Sequence, residues 1–447
     1  MTTCAFYQYV WTAFWDRPPS LETSSINSWM TSYPSIQRSE PFHIFCLNVM
    51  MTYEMSKTLF PRIHSVGAYS FVFFASLFFV LGFRVSPVRA TTCPAANPND
   101  NIPDAAALQA CLNQGGIISL DPGTPGYIIA TGLHITQPGT VITSSQAPTK
   151  ATLIADSSLR AQILRDARSY PAASIQIANI IFDGNRSHRD DSVCSGWRDP
   201  FATNVGITSG NGFIARDIES RNALCGSSFV VSADSFEITN SWLHDNGAPS
   251  GNGPAPWADG ITLAKCSNGY VHDNTVENNT DVDIVDGGGQ DCRIVNNTIR
   301  RTSVFAFAFA GLAIHDFANA DADHTGSRFQ GNTIIPTSPN TLGFSISVGG
   351  EPWSQGLSVG GTISNNTISG ADINLAVEGY RNGTITGNMM PSPGGDCNQD
   401  YTVSDTSNAC LQSGWFTASA SVGGSCSPTG EVITSTCGTN PTTPSLR

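Results

Sequence analysis

Val271-His-Asp-Asn-Thr-Val-Glu-Asn-Asn279 and Ile294-Val-Asn-Asn-Thr-Ile-Arg-Arg301 decide the fold. Each opens on an apolar residue, passes through polar ones to Asn-Thr, and returns to an apolar residue. The pattern recurs around Ile214, Ile238, Phe329, Ile363 and Ile385. Successive anchors from Ile214 lie about 24, 33, 23, 35, 34 and 22 residues apart. The short spacings define one coil, and the long ones are a coil plus about ten residues that must leave as loops. A coil of this length holds three short strands and three turns, and stacks on the next by parallel pairing at about 4.8 Å. Apolar side chains then point into a long, narrow core. Asn at the same turn of successive coils can exchange amide hydrogen bonds, as in other stacked sheets, and it tolerates the left-handed backbone such a turn needs. The expected fold is all-β, a right-handed parallel β-helix.

Upstream, Asp104-Ala-Ala-Ala-Leu-Gln-Ala-Cys-Leu-Asn113 is the one convincing helix after the leader, started by Pro103 and Asp104 and stopped by Gly115-Gly116. It is expected to cap the open N-terminal end of the solenoid and cover its unpaired strand edges. Val66 to Phe83 is apolar and aromatic, follows Lys57, Arg62 and His64, and precedes Val88-Arg89-Ala90. That is a secretory-signal pattern; a membrane anchor is the competing reading, because about 18 apolar residues just span a bilayer. The chain therefore divides into a leader at 1–90, a β-helix at 91–390 and a Cys-bearing tail at 391–447. Within the leader, 1–54 reads as upstream sequence, translation starting at Met51 or Met55.

Only 13% of the 447 residues are charged, and 35 acids face 22 bases, for a net charge of −13. No basic stripe is available to neutralise phosphates, so a nucleic-acid partner is excluded. Ten Cys follow residue 90, which suits an oxidising, extracellular setting. Near-neighbour pairing gives Cys93–Cys111, Cys194–Cys225, Cys266–Cys292, Cys397–Cys410 and Cys426–Cys437. With the signal removed, no membrane association is expected.

The run Asp104 to Ile129, followed by the coils, resembles the pectin-lyase-like superfamily of secreted β-helix proteins over about residues 93–390. That superfamily contains polysaccharide lyases, glycoside hydrolases, uronan epimerases and non-enzymes, so the resemblance implies a fold more than an activity.

The loops are expected at about 183–204, 246–259, 305–326 and 336–358, and grooves tend to form where loops stand on a rigid scaffold. Trp257-Ala-Asp259-Gly-Ile261 precedes Asn278-Asn-Thr-Asp281-Val-Asp283-Ile-Val-Asp286 by one coil. Aligning Val271 with Ile294 places Asp259-Gly260-Ile261 under Val282-Asp283-Ile284. Side chains two apart share a strand face, so Asp281 and Asp283 are both expected to point outwards. Carboxylates this close cannot all ionise easily. A protonated acid beside an ionised partner is what glycosidic cleavage needs, and an Asp259/Asp283 pairing favours inversion. Asp259, Asp281 and Asp283 are the candidate catalytic residues. The segment also resembles the β-helix glycoside hydrolases that cut α-1,3-glucan (mycodextranase type), where Asp-Gly is followed one coil on by Asp-Asp. By that resemblance Asp259 and Asp283 match family acids, while Val282 replaces the other Asp of the pair and Asp281 stands at the family's Gly.

Trp257, in a Gly/Pro-rich loop, is a candidate sugar platform or a packing residue. His272, His315 and Arg301 are candidate substrate-binding groups, against surface or turn roles. No cofactor is required; Ca2+ is the alternative at the Asp-rich turn, with Asp286 and Asp291 as the hard-oxygen ligands. The same Asp residues can also serve simply as turn formers. Together these features predict a secreted glycoside hydrolase with a polysaccharide partner. The alternatives are a polysaccharide lyase or uronan C5-epimerase, which net negative charge disfavours by repelling polyanions, and a non-catalytic extracellular binding protein.

Overall fold

A computed structural model describes residues 91–390 except 167–172, 191–193, 195–201, 209–210, 249–256, 304–307, 316–321, 338–340, 350–357, 372 and 379, and three later strands, Tyr401–Ser404, Phe416–Val422 and Glu431–Thr434. The chain winds as a right-handed parallel β-helix. One full coil runs through the strands Ala258–Ser267, Tyr270–His272 and Thr275–Glu277, then turns into Val282–Asp286 of the next. Ala258–Ser267 and Val282–Asp286 belong to a ten-stranded sheet; the two short strands between them belong to a larger sheet that wraps the rest of the coil.

The stacking register follows the sequence repeat. Ile238 opposes Val271, Val271 opposes Ile294, and the row continues through Phe329, Ile363 and Ile385. All six are buried in one core. The first anchor is off by one: Ile238 opposes Ala215, not Ile214. Ala215 is fully buried while Ile214 is only half-buried, so the smaller residue holds the inward place.

Asn274, Asn297, Asn332, Asn366 and Asn388 form a buried ladder. Asn274, Asn297, Asn332 and Asn366 each donate Nδ2 to the Oδ1 of the next Asn in the row, at 3.0, 3.0, 3.0 and 2.8 Å. The same Oδ1 atoms accept backbone N–H groups, as Asn332 does from Asn297 N at 3.0 Å. Each Nδ2 also reaches a carbonyl of the preceding coil, as Asn297 does to Val271 O at 3.0 Å. The turn is thereby satisfied without water, which a dry solenoid core demands. The preceding residue takes the left-handed backbone, at Asp273, Asn296 and Asn365 with φ of 55°, 55° and 54°, and Gly331 and Gly387 fill the same place in the other two coils.

The helix spans Ala105–Leu112, with Leu108, Cys111 and Leu112 buried in the same core as the first coils. Asp104 does not cap its own helix. Its carboxylate accepts Asn97 N at 2.8 Å and Ile128 N at 3.1 Å, tying the cap to the first coil. Cys93–Cys111, Cys194–Cys225 and Cys266–Cys292 are bonded; the other two expected pairs lie outside the described residues, as does the signal-like segment. Among the described residues no helix is long and apolar enough to cross a membrane.

Two expected loops need correction. The stretches 305–326 and 336–358 each contain a buried strand of the ten-stranded sheet, Ala308–Ile314 and Leu342–Val348. The long spacings there therefore include a strand of the coil rather than one continuous loop. The strand at Ala308–Ile314 has every residue buried, so it lacks the alternation that marks a half-exposed strand. Beyond 390, Tyr401–Ser404 and Phe416–Val422 pair in parallel onto the last coils, and Glu431–Thr434 closes antiparallel on the latter.

Candidate active site

Ile261 opposes Ile284, and the same register carried back two residues sets Asp259 against Val282. Val282 N accordingly donates to Asp259 Oδ1 at 3.1 Å. Thr262 Oγ1 donates to Asp259 Oδ2 at 2.6 Å, and the Thr262 hydroxyl also meets that of Ser227 in the preceding coil. Asp259 is half-buried with both oxygens engaged. Burial first, then the charge of Asp281, pushes its carboxyl well above the ordinary range, with a smaller push from Asp283.

Asp281 sits on the turn that delivers the chain into Val282–Asp286. Its N–H donates to Ala258 O at 3.3 Å, and its carbonyl accepts Phe309 N at 2.7 Å. The backbone is thus fixed from the coils on both sides, and the side chain is half-buried. Desolvation raises it to about 6. The bonds from Asp281 N to Ala258 O and from Val282 N to Asp259 Oδ1 set the two acids on adjoining coils at the head of Ala258–Ser267.

Asp283 corrects the expectation of a shared outward face. It is fully buried, and its Oδ1 accepts Asn279 Nδ2 at 2.8 Å and Asn279 N at 3.4 Å. Its Oδ2 lies 3.6 Å from Arg301 Nη1. The neighbouring coils carry Gly260 and Gly311 at this level. A Cβ on Gly260 would come within 2.5 Å of the core side chain of Val276, and one on Gly311 within 2.6 Å of Ile334. The position therefore faces the interior, and small neighbours leave room for a carboxylate. Burial raises Asp283 to about 6, against the lowering influence of Arg301 and Asn279. The pairing that favours inversion, Asp259 with Asp283, is not the pair the fold presents.

Arg301, expected to touch substrate, is instead completely buried. Its Nη1 donates to Asn279 O at 2.7 Å, so Arg301, Asn279 and Asp283 form one internal cluster behind the acid pair. His315 is likewise buried; its Nδ1 bonds to Gly349 O at 2.7 Å and its N–H donates to Asp286 O at 2.8 Å. Both side chains are enclosed by protein. His272 stands on the larger sheet, held by Asp273 at 2.6 Å and Glu237 at 2.9 Å and stacked on Tyr270, so it belongs to another face from the acids. Trp257, at 44% exposure, is the candidate binding residue that fits its expected place. It immediately precedes Ala258–Ser267, and its carbonyl accepts Gly226 N at 2.8 Å.

Asp286 is buried, with Oδ2 3.1 Å from His324 Nδ1, whereas Asp291 is an exposed turn residue with φ of 59°. Among the described residues, the ligand atoms that gather around Asp286 are the Sγ atoms of Cys266 and Cys292, which are bonded to each other. This is not an oxygen cradle, and calcium enters no step below.

Sequence reasoning missed Thr262 and Asn279, the residues that fix Asp259 and Asp283. Asn279 carried a signal: it follows Asn278 in the coil pattern, and its Oδ1 accepts Asn246 Nδ2 at 2.7 Å, a second, shorter Asn stack beside the acids.

No family model and no curated protein matches the chain. Solved structures similar to it include the A-module of a mannuronan C-5 epimerase from Azotobacter vinelandii (14% identity over 70% of this chain and 79% of that one, TM-score 0.49). They also include an exopolygalacturonase from Thermotoga maritima (9%, 78% and 96%, TM-score 0.48). A third is PfbA, a surface adhesin of Streptococcus pneumoniae (12%, 78% and 99%, TM-score 0.42).

Proposed function

We propose that the chain is a secreted glycoside hydrolase acting on a polysaccharide, with Asp259 and Asp281 as its catalytic acids. The observation that carries this reading is the half-buried pair at the head of Ala258–Ser267, whose two carboxyls burial pushes above the ordinary range. Asp259, whose carboxyl burial and the charge of Asp281 push well above the ordinary range, serves as general acid towards the leaving oxygen. Asp281, ionising around 6, is the carboxylate that activates water or attacks the sugar. Asp283 is a positioning residue in this scheme: with Asn279 and Arg301 it fixes the turn and adds negative field behind the pair. Exposed Trp257 offers a flat apolar face for a sugar ring at the entrance.

The test is a screen of the secreted protein against neutral glucans and uronans. New reducing ends without unsaturated-uronate absorbance support hydrolysis; that absorbance would mean a lyase and overturn the reading. If hydrolysis appears, Asp259→Asn and Asp281→Asn must each remove most of it. Full rate in either variant would exclude that residue.

A further inference from the structure

On the larger sheet, away from the acid pair, Trp242 and Tyr270 begin two strands of the same design. Each is followed two residues later by a His whose ring stacks on it, at 3.7 Å for Trp242–His244 and 3.8 Å for Tyr270–His272. Each opposes a Glu of the preceding coil, Glu219 for Trp242 and Glu237 for Tyr270. They differ in the next coil. Tyr270 opposes Arg293, whose guanidinium covers its ring at 4.4 Å. Trp242 opposes Thr275, too short to cover an indole. Trp242 is left 39% exposed, although an apolar side chain of that size gains from burial.

The exposed ring is also held. His244 backs one face, and the indole Nε1 donates to Glu277 Oε2 at 3.2 Å. Glu277 is clamped by Arg300 at 2.9 Å, and His244 by Asp245 at 2.7 Å and Glu219 at 3.4 Å. Glu219 in turn pairs with Arg221 at 2.6 Å. A ring fixed in orientation loses little entropy when a flat ligand lands on it. Around it, Arg221, Asp245 and Arg300 keep side-chain exposures of 34%, 40% and 45%, so they can exchange hydrogen bonds with hydroxyls.

We infer that the open face of Trp242 is an accessory glycan-binding platform, separate from the Asp259/Asp281 site. The ligand class is a neutral polysaccharide. A pyranose ring presents C–H bonds to the negative face of an indole and hydroxyls to the polar frame. The carboxylates of the frame are already paired with cations, and a chain of charge −13 repels polyanions. The inference does not depend on the catalytic proposal, since binding here needs no proton transfer.

The experiment is affinity electrophoresis of the full chain through gels containing starch, dextran, laminarin or xyloglucan, beside alginate as the anionic control. At least one neutral polymer should retard the protein and alginate should not. Trp242→Ala should weaken that retardation about five- to ten-fold, and Trp242→Phe should keep much of it. Thr275→Arg leaves the indole in place but supplies the cation that Arg293 supplies to Tyr270; it should abolish binding with an unchanged melting temperature. Asp281→Asn should bind as the parent does, which separates this platform from the catalytic site. No retardation by any neutral polymer, or equal retardation of the parent and Thr275→Arg, overturns the inference.

Discussion

The β-helix carries two dense groups of carboxylates, and they are treated in opposite ways. On the larger sheet, Asp183, Glu219, Asp245 and Glu277 are interleaved with Arg221, His244 and Arg300 on neighbouring strands. There the hydrogen bond from His244 holds Glu219 below its ordinary range, and Asp245 is also lowered, burial being offset by His244, Asn278 and Arg186 together. At the head of Ala258–Ser267, Asp259 accepts from the Thr262 hydroxyl and Val282 N, no cation offsets the burial of Asp259 or Asp281, and both are raised. Clustered acids alone therefore do not mark a reactive site. What distinguishes the Asp259/Asp281 pair is partial exposure with burial that no counter-charge offsets, which favours the protonated form of a carboxyl.

The largest effect should come from breaking the uncompensated pair. Asp259→Asn or Asp281→Asn should lower hydrolysis by about 10²–10⁴-fold, the range for losing a positioned acid or base, with the fold intact by circular dichroism. In the parent, the rate should rise as Asp281 ionises around pH 6 and fall again as Asp259 loses its proton; a flat pH–rate profile would break the contrast. Next in size is Arg301→Ala, which strands Asp283 in the interior. Removing one partner of a buried pair costs about 3–5 kcal/mol, read as a lower midpoint in urea. Arg301→Ala paired with Asp283→Asn should recover much of that loss.

Much of the fold was legible because coil registers are set by residues close in sequence. Val271 to Ile294 is one coil, and that spacing alone put Asp259 beside Val282, as the Val282 N to Asp259 bond shows. The failure lay in direction. Alternation predicted Asp281 and Asp283 on one face, but the turn before Val282–Asp286 breaks the period of two. Inward glycines at 260 and 311 create the space that draws Asp283 into the core. Arg301 and His315 were misplaced for a related reason. A charged side chain at a strand end reads as surface, yet here Asn279 O and Gly349 O accept their hydrogen bonds inside. The ion-paired face of the larger sheet was invisible because its partners come from five coils and meet only through stacking.

A third prediction separates the two groups through the pH dependence of stability. Asp281 and Asp283 have folded values raised to about 6, so the folded state binds more protons than the unfolded state between about pH 4 and 6. Stability should therefore fall as pH rises through that window. Asp283→Asn should flatten this slope, because the amide carries no charge to desolvate. The melting temperature from pH 4 to 7 reports it; an unchanged slope in the variant would mean that Asp283 does not titrate there.

The smallest effect belongs to the compensated face, and its sign is the reverse. Glu219 is lowered in the folded state, so its contribution is present at neutral pH and lost as pH drops below the ordinary Glu range. His244 is raised, its bonds to Asp245 and Glu219 outweighing desolvation; its contribution is complete below about pH 6.5 and fades as pH rises through its folded value. Glu219→Gln should thus cost about 1 kcal/mol near pH 6, and the difference should shrink as pH falls through the lowered folded value of Glu219. Added salt should shrink the difference, since the Arg221 partner is one-third exposed and screening acts on such pairs. The same salt should leave the Asp283→Asn slope nearly unchanged, because that carboxylate is sealed from solvent. A salt response of equal size in both variants would erase the distinction between the two groups of acids, and with it the reason for placing the chemistry at Asp259 and Asp281.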